Sequence, residues 1–235
     1  MKSTQNPKEN KNCYASQTQR EIIFEFINHR ILKDDFFLTG GTALSVFYLH
    51  HRRSNDLDFF TLKQIDLSEI DFNSKLIWKN SYTKIKESPH FLSMVIQNVK
   101  VDLVIDPLSF KEARDRYFFD THKFLVIDNI RNMVSNKFCT IASRIEPKDF
   151  IDFYYINKIL KIDSIQAVYE DARKKDAIFD DPPTVAYQIE QGMSFLQKNP
   201  DLFPHMLIEF DVDDFLNFYH HTINWIYQKI ENKND

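Results

Sequence analysis

Glycine is scarce in this sequence: only three of the 235 residues are glycine, and two of them are adjacent, at positions 40 and 41. Cysteine is scarcer still, because the chain holds only Cys13 and Cys139 and no CxxC pair. Without clustered cysteines, neither a zinc site nor a disulfide framework is predicted. No apolar run approaches the ~18 residues of a membrane span, and residues 1–12 are polar, unlike a signal peptide. These absences predict a cytoplasmic protein with no membrane contact.

An excess of positive charge is also absent. The formal net charge is −4 and the isoelectric point is about 6.1, which argues against nucleic-acid binding through overall charge but leaves a local basic patch open. What the chain has in quantity is apolar material: 43% of its residues are hydrophobic and 22 are phenylalanine. This composition predicts a folded protein with a large core.

The pattern of apolar residues divides the chain near residue 120 into a mixed α/β domain, 1–120, and a helical domain, 121–235. Residues 1–16 are expected to be loosely ordered, and the stretch 67–87 is interpreted as a short helix with a strand around 76–78. Strands with a hairpin turn at Asn98 are predicted over 36–39, 56–61, 91–97, 99–105 and 124–127. Helices are predicted over 17–33, 42–51, 110–117, 129–143, 148–161, 164–177, 184–197 and 213–231.

The glycine doublet lies between the predicted strand 36–39 and a predicted helix that begins at Thr42. Glycine lets the backbone approach a ligand closely, and the start of a helix offers unpaired N–H groups to an anion. Gly40, Gly41 and Thr42 therefore form a candidate phosphate-binding turn.

Two acids, Asp56 and Asp58, follow this turn within an apolar run. Alternate residues of a strand share a face, so both carboxylates are predicted to point the same way while Leu57 and Phe59 enter the core. Carboxylates held together repel unless a cation lies between them, and Mg²⁺ prefers such oxygen ligands. For this pair alone, a capping Asp56 and a solvated Asp58 are the more common explanation.

A third acid, Asp102, interrupts a strand whose residues Val99, Val101, Leu103 and Ile105 line one face. Asp102 lies on the other face, where a charge either reaches solvent at an edge or joins a site. Three acids on two strands, with a glycine turn upstream, favour a metal site.

Arg52 and Ser54 stand between the predicted helix and the first acidic strand. They are candidates for contact with a phosphate or base and for orienting Asp56. The alternative is that the basic residues His51 and Arg52 complement the dipole of a helix C-terminus.

These motifs together resemble a known family, the AbiEii/AbiGii toxin family of nucleotidyltransferases. The resemblance rests on segments 40–44, 51–60 and 100–103, and continues in the helical half with Lys137, Arg144, Lys148, Asp149 and Asp152. It covers roughly half of the chain. It implies an α+β fold in which a DNA polymerase-β-like nucleotidyltransferase domain with a small mixed β-sheet is followed by a C-terminal helical bundle.

The resemblance also implies roles for individual residues. Asp56, Asp58 and Asp102 would be catalytic and would bind Mg²⁺ or Mn²⁺, with Asp102 assisting the incoming hydroxyl. The residues that would contact the NTP or its phosphates are Gly40, Gly41, Thr42, Arg52, Ser54, Lys137, Lys148, Asp149 and Asp152. Three of the helical residues have an alternative: a solvated lysine for Lys137, a helix-end cation for Arg144, and helix capping for Asp149.

The activity implied is transfer of a nucleoside monophosphate from an NTP to an acceptor, in a bacterial toxin–antitoxin setting. The family points to an RNA acceptor, particularly the tRNA 3′ end, and to a possible cognate antitoxin. The alternatives are transfer to a protein hydroxyl, or an inactive nucleotidyltransferase fold that serves in binding or regulation. The presence of all three acids favours an enzyme.

Overall fold

The computed structural model describes residues 6–32, 35–161 and 164–231. The chain forms two compact units, one ending at Ile130 and the other beginning at Arg131. The sheet of the first unit extends beyond residue 120, because its last strand lies at Phe124–Ile127. The boundary between the two units therefore lies about ten residues after the position near residue 120 where the sequence pattern changes.

The first unit is built on one mixed sheet of seven strands in the order β3-β4-β5-β2-β1-β7-β6. Neighbouring strands are antiparallel except for the pairs β2–β5 and β1–β7, which are parallel. The strands are β1 (Phe37–Thr39), β2 (Leu57–Thr61), β3 (Tyr82–Ser88), β4 (Phe91–Ile96), β5 (Val99–Ile105), β6 (Asp115–Phe118) and β7 (Phe124–Ile127). Its helices are α1 (Gln17–Asn28), α2 (Gly40–Ala43), which continues as a π-helical segment (Leu44–Leu49), and α3 (Leu67–Trp78).

One face of the sheet is covered by helices. Phe26 of α1 packs edge-on against Phe59 of β2 and against Trp78 of α3, with ring centroids 5.7 and 5.2 Å apart. Leu57 and Phe59 are buried while Asp58 between them is half-buried. The alternation predicted for this strand is confirmed, and it leaves Asp58 on the opposite face.

The predicted hairpin is confirmed by its turn. Gln97 and Asn98 both have positive φ, 49° and 65°, and join β4 to β5, which pair antiparallel from Ile96–Val99 to Phe91–Val104. Two consecutive left-handed residues match the right-handed twist of the flanking strands. This turn sets the register of β5 and hence the face on which Asp102 lies.

The N-terminal segment differs from the prediction that it is loosely ordered. In the described part, the amides of Lys8 and Asn10 donate to the carbonyls of Phe47 and Val46 at 2.9 and 2.8 Å. The Ser54 amide donates to the Cys13 carbonyl at 2.9 Å. These backbone bonds tie the segment to the chain that precedes β2, an interaction that a polar composition does not reveal.

The prediction of a helix over 110–117 is wrong, as is that of a strand around 76–78. Residues 115–118 form β6, which pairs with β7, and residues 76–78 end α3. Tyr117 is held in a strand by its ring contacts with Phe47 and Phe119, at 5.1 and 5.0 Å. Strand β6 has only four residues, so tertiary contacts outweigh its local propensity.

The second unit is helical. Its helices are α4 (Ile130–Ser143), α5 (Pro147–Leu160), α6 (Ile165–Arg173), α7 (Pro182–Lys198) and α8 (Val212–Glu231). Aromatic side chains fill its core: Phe138 of α4 stacks on Phe153 of α5 at 4.9 Å, and the Tyr219 hydroxyl of α8 donates to the carbonyl of Phe150 at 2.8 Å. Among the helices of the described part, none is both long and apolar enough to cross a membrane.

Gly192 of α7 allows a close approach to Phe150 of α5. A Cβ atom at position 192 would lie 2.2 Å from Phe150 Cζ, far inside van der Waals contact. The ring is fully buried, so it has little space into which to move.

We expect Gly192→Ala to lower the free energy of unfolding by about 1–3 kcal/mol, because overpacking outweighs the better helix propensity of alanine. Urea denaturation measures the change. In a Phe150→Leu background the clash is removed, so the same substitution should be neutral or stabilising there. Equal destabilisation in both backgrounds would contradict the close contact as its cause.

Candidate active site

The glycine turn is the joint between β1 and α2. Strand β1 ends at Thr39 and the helix begins at once with Gly40, whose φ of +67° is the left-handed conformation that favours glycine. A Cβ atom on Gly40 would lie 2.5 Å from Asp58 Oδ2. Glycine is thus required at this position for two reasons: the backbone is left-handed, and a side chain would clash with the Asp58 carboxylate.

The second glycine lies against Arg52 and Ser54. A Cβ atom on Gly41 would lie 2.5 Å from Arg52 Nη2 and 3.1 Å from Ser54 Oγ. Arg52 is 97% buried, with 3% of its surface exposed, and its Nη1 donates to the Arg53 carbonyl at 2.8 Å. The guanidinium therefore lies at the start of α2, and the alternative that it complements the helix C-terminus is wrong.

Thr42 connects the turn to the segment that enters β2. Its hydroxyl lies 2.9 Å from Ser54 Oγ and also donates to the carbonyl of Asp56. Thr42 is fully buried and Ser54 nearly so. These bonds hold Asp56 close to the helix start, so Thr42 and Ser54 position that residue. The sequence motif alone did not distinguish such a role from direct contact with a ligand.

A row of polar side chains crosses the sheet on the face opposite α1. Register pairs Ser93 with Asp102, Asp102 with Asp58 and Asp58 with Thr39. Directly paired residues on neighbouring strands share a face. The Thr39 hydroxyl donates to Asp128 Oδ2 at 2.7 Å. Asp128, the residue that follows β7, is the last member of the row.

Asp58 and Asp102 are thus immediate neighbours on adjacent parallel strands. Asp56 lies one residue before β2, half-buried like the other two acids. Asp58 and Asp102 each lie on the face of their own strand that alternation predicts, and the register places them side by side, with Gly40 directly against Asp58.

Both oxygens of Asp102 have partners within the protein. Ser93 Oγ donates to Oδ1 at 2.5 Å and Lys100 Nζ donates to Oδ2 at 2.6 Å. Burial lowers the pKa of Lys100, but the hydrogen bond to Asp102 and the charges of Asp102, Asp56 and Asp58 outweigh it, so the pKa is raised. Lys100 therefore carries its charge beside all three acids.

The chemistry of the three acids suits a hard divalent cation, because each supplies only carboxylate oxygens. The absence of a Cβ at Gly40 keeps open the space beside Asp58 Oδ2. As the side chains stand, the part of the chain that the structure describes holds no group of three or more His, Cys, Asp or Glu residues arranged to bind a metal. At Asp102, the Lys100 ammonium donates to Oδ2.

Asp128 and Arg114 are contacts of the row that the sequence did not reveal. Asp128 is fully buried, and its Oδ1 accepts from Arg114 Nε at 3.0 Å. The Arg114 guanidinium also lies 3.6 Å from the ring centroid of Phe37. The available signal was an acid placed directly after the apolar strand Phe124–Ile127, ahead of a helix.

Three of the residues predicted in the helical half, Lys137, Asp149 and Asp152, form a cluster within the second unit. Lys137 has 7% of its surface exposed, and its Nζ lies 2.6 Å from Asp149 Oδ1 and 2.7 Å from Asp152 Oδ2. Arg144 adds a bond to Asp149 Oδ2 at 2.7 Å. Lys148 is half-buried in the first turn of α5.

This cluster decides one of the open alternatives: Lys137 is nearly buried and is not a solvated lysine. The carboxylate of Asp149 accepts from Lys137 and Arg144, and Asp149 also lies in the first turn of α5, where an acid interacts favourably with the helix dipole. Burial raises the pKa of Asp149, but the charge and hydrogen bond of Lys137 and the charge of Arg144 lower it below its ordinary value. Asp149 and Asp152 share a helix face, as the spacing of three predicts.

Similarity to known proteins covers most of the chain. A family model described as a nucleotidyl transferase AbiEii toxin of a type IV toxin–antitoxin system matches residues 21–219. An uncharacterised protein of Aquifex aeolicus (strain VF5) is 27% identical over 142 residues, or 59% of this chain. The match spans 65% of the length of that curated relative.

Solved structures show the same fold. A Helicobacter pylori protein crystallised as a candidate nucleotidyltransferase is similar with a TM-score of 0.55 and 16% identity, over 95% of this chain and 98% of that one. MenT4, a nucleotidyltransferase toxin of Mycobacterium tuberculosis H37Rv, has a TM-score of 0.51 and 10% identity, over 89% of this chain and 82% of that one. The predicted fold class, with its mixed sheet and C-terminal helices, is confirmed.

Replacing the glycine beside Asp58 tests the turn. Gly40→Ala should destabilise the protein by about 1–2 kcal/mol through its left-handed backbone, and should cost more through the clash with Asp58 Oδ2. Urea denaturation of Gly40→Ala in wild-type and Asp58→Ala backgrounds separates the two effects. A smaller loss in the Asp58→Ala background is expected, whereas an identical loss would show that the carboxylate does not lie against Gly40.

The buried pair at the end of the row makes a second prediction. Asp128→Asn leaves Arg114 buried without its charged partner, so we expect a loss of about 3–5 kcal/mol in the free energy of unfolding. Asp180→Asn is the matched control, because Asp180 pairs with Arg173 at the surface, and it should change the melting temperature little. The double variant Arg114→Met/Asp128→Asn should recover stability relative to Asp128→Asn, and no recovery would contradict the pairing.

Proposed function

Because the chain belongs to the AbiEii family of nucleotidyltransferase toxins, we propose that it transfers a nucleoside monophosphate from an NTP to a hydroxyl of an RNA acceptor. The observation that carries the proposal is the register that makes Asp58 and Asp102 neighbours on one face, with Gly40 directly against Asp58. The helix start that we propose to bind an anion thus lies beside the carboxylates that we propose to bind a metal.

The phosphate end of the NTP is proposed to lie at the start of α2. The N–H groups of a helix N-terminus attract anions, and the buried Arg52 guanidinium beside Gly41 adds a positive charge. Thr42 and Ser54 would hold the turn and Asp56 in place.

Asp56, Asp58 and Asp102 would hold a divalent metal, Mg²⁺ or Mn²⁺, which when bound neutralises phosphate charge and aligns the reacting groups. The acceptor hydroxyl forms a bond to the α-phosphorus, the bond to the β-phosphate oxygen breaks, and pyrophosphate leaves. Asp102 is proposed to accept the proton of that hydroxyl. Ser93 would orient the carboxylate for this step through its 2.5 Å hydrogen bond.

The identity of the acceptor is the part of the proposal that rests on the family alone. The net charge of −4 means that RNA would have to be bound by local basic residues, and the exposed Arg53 is proposed as one of them. The tRNA 3′ end is the proposed acceptor, and a cognate antitoxin is a proposed partner. The roles of Lys137, Lys148, Asp149 and Asp152 toward the nucleotide stay predictions.

The deciding experiment incubates the protein with each labelled NTP, Mg²⁺ or Mn²⁺, and either total RNA or a cell protein extract. Label in RNA that maps to tRNA 3′ ends supports the proposal. Label in protein alone would replace RNA with a protein hydroxyl as acceptor. Absence of label from every NTP and acceptor would leave a nucleotidyltransferase fold used for binding or regulation.

Asp58→Asn should abolish this transfer while the fold is retained. Removing one carboxylate relieves repulsion within the cluster, so the metal-free variant should be as stable as the wild type or more so. Label transfer and the melting temperature in EDTA measure the two effects. Asp213→Asn, which removes the same charge from the exposed first turn of α8, is the control and should stay active; wild-type labelling by Asp58→Asn would refute the metal assignment.

A further inference from the structure

Gln19 is a buried polar residue that none of the sequence motifs includes. It lies in the first turn of α1 and is fully buried, whereas glutamine is mostly found at protein surfaces. It also precedes residue 21, where the match to the family model begins. A buried amide needs hydrogen-bond partners, and one partner of Gln19 is Ser54, which is 35 positions away in the chain.

The two ends of the Gln19 side-chain amide have different partners. Its Oε1 accepts from the backbone amides of Ala15 and Ser16 at 2.7 and 3.3 Å, and its Nε2 donates to the carbonyl of Ser54 at 2.9 Å. Because a backbone amide only donates and a carbonyl only accepts, these neighbours fix the orientation of the side-chain amide. One end caps the start of α1, and the other holds a residue of the segment that enters β2.

The backbone of Ser54 is held by the same part of the chain, residues 8–15, which we call the N-terminal strap. The Ser54 amide donates to the carbonyl of Cys13 at 2.9 Å, and the Ser54 carbonyl accepts from Ala15 at 3.2 Å as well as from Gln19. Tyr14 and Ser54 form a parallel β-bridge. Since a buried backbone group that loses its partner is costly, these bonds determine where Ser54 lies.

The side chain of Ser54 connects this support to the glycine turn. Its Oγ lies 2.9 Å from Thr42 Oγ, and the Thr42 hydroxyl donates to the carbonyl of Asp56. A Cβ atom on Gly41 would lie 3.1 Å from Ser54 Oγ, so the hydroxyl is packed against the turn. The strap also reaches the π-helical segment that continues α2, where two of its amides donate to backbone carbonyls.

We propose that Gln19 is a positioning residue of the candidate active site, which through Ser54 fixes the glycine turn and Asp56 in the arrangement that the nucleotide and the metal require. The inference rests on the proposed function, because it takes the turn and Asp56 as the residues that hold these two ligands. It makes the N-terminal strap a part of the scaffold on which activity depends.

The substitution Gln19→Glu separates the two ends of the side chain. Glutamate is a usual residue at this position of a capping box, so the oxygen that accepts from Ala15 and Ser16 is kept. The second oxygen of an ionised carboxylate cannot donate to the Ser54 carbonyl. We expect label transfer by Gln19→Glu to fall roughly tenfold at about pH 8, the size expected when a buried hydrogen bond is lost.

The pH dependence distinguishes positioning from a loss of stability. Burial raises the pKa of a carboxyl group, and the substituted carboxyl, once protonated, can donate to the Ser54 carbonyl as the amide does. Label transfer by Gln19→Glu relative to the wild type should therefore rise as the pH is lowered from about 8 to about 6. Gln19→Met has no donor at either pH and should stay equally impaired at both. A ratio for Gln19→Glu that does not rise would contradict the role of the donor.

Hydrogen exchange measures the positioning without any turnover. In the full chain without nucleotide or metal, Gln19→Glu should exchange faster than the wild type over residues 40–44 and 52–56 at about pH 8. Asp66→Ala is the matched control, because it removes the side-chain cap of α3 in the same unit and costs comparable stability. It should leave label transfer and exchange in both segments unchanged.

Two results would overturn the proposal: unchanged exchange over 40–44 and 52–56 in Gln19→Glu, or wild-type label transfer by that variant at the same pH. Ser54→Ala keeps the backbone groups that Gln19 and the strap contact but lacks the hydroxyl that reaches Thr42. It should also lose transfer, and it carries the test if Gln19→Glu does not fold; wild-type transfer by Ser54→Ala would overturn the link to the turn. If the wild-type protein itself transfers no label, the proposed function fails, and exchange still decides whether Gln19 holds the turn.

Discussion

The structure of the first unit depends on one constraint, the close placement of like charges on neighbouring strands. Asp58 and Asp102 are paired in register across β2 and β5, and such a pair is stable only when the surroundings supply positive charge or hydrogen-bond donors. Lys100 and Ser93 donate to Asp102. Gly40 leaves the space that the Asp58 carboxylate fills.

The same need for an opposite charge is met at buried carboxylates elsewhere in the molecule. At the far end of the row, Arg114 compensates the buried Asp128, and in the second unit Lys137 lies between Asp149 and Asp152. The two lysines differ in burial. Lys137 is almost wholly enclosed, so breaking its pairs is costly, whereas the Lys100 side chain is 45% exposed and breaking its pair costs less.

Much of the local structure could be predicted from sequence. Period-two alternation indicated β2 and β5, and a short polar interruption at Asn98 indicated the hairpin. The failures have physical causes: β6 is a four-residue strand held by ring contacts of Tyr117, and the N-terminal segment is ordered by backbone bonds to distant residues. Neither leaves a periodic pattern. Asp128 and Arg114 were missed because their pairing joins positions that no motif connects.

The sequence by itself determined that Asp58 and Asp102 lie on the polar faces of their own strands, because alternation with buried Leu57, Phe59, Val101 and Leu103 leaves no other orientation. It also determined that a glycine doublet lies between a strand and a helix. Only the tertiary structure decided that β2 and β5 are parallel neighbours, and in which register. Strand order and register are properties of the whole sheet, set by how all seven strands pack together, and a local pattern carries no information about which distant strand will be the neighbour.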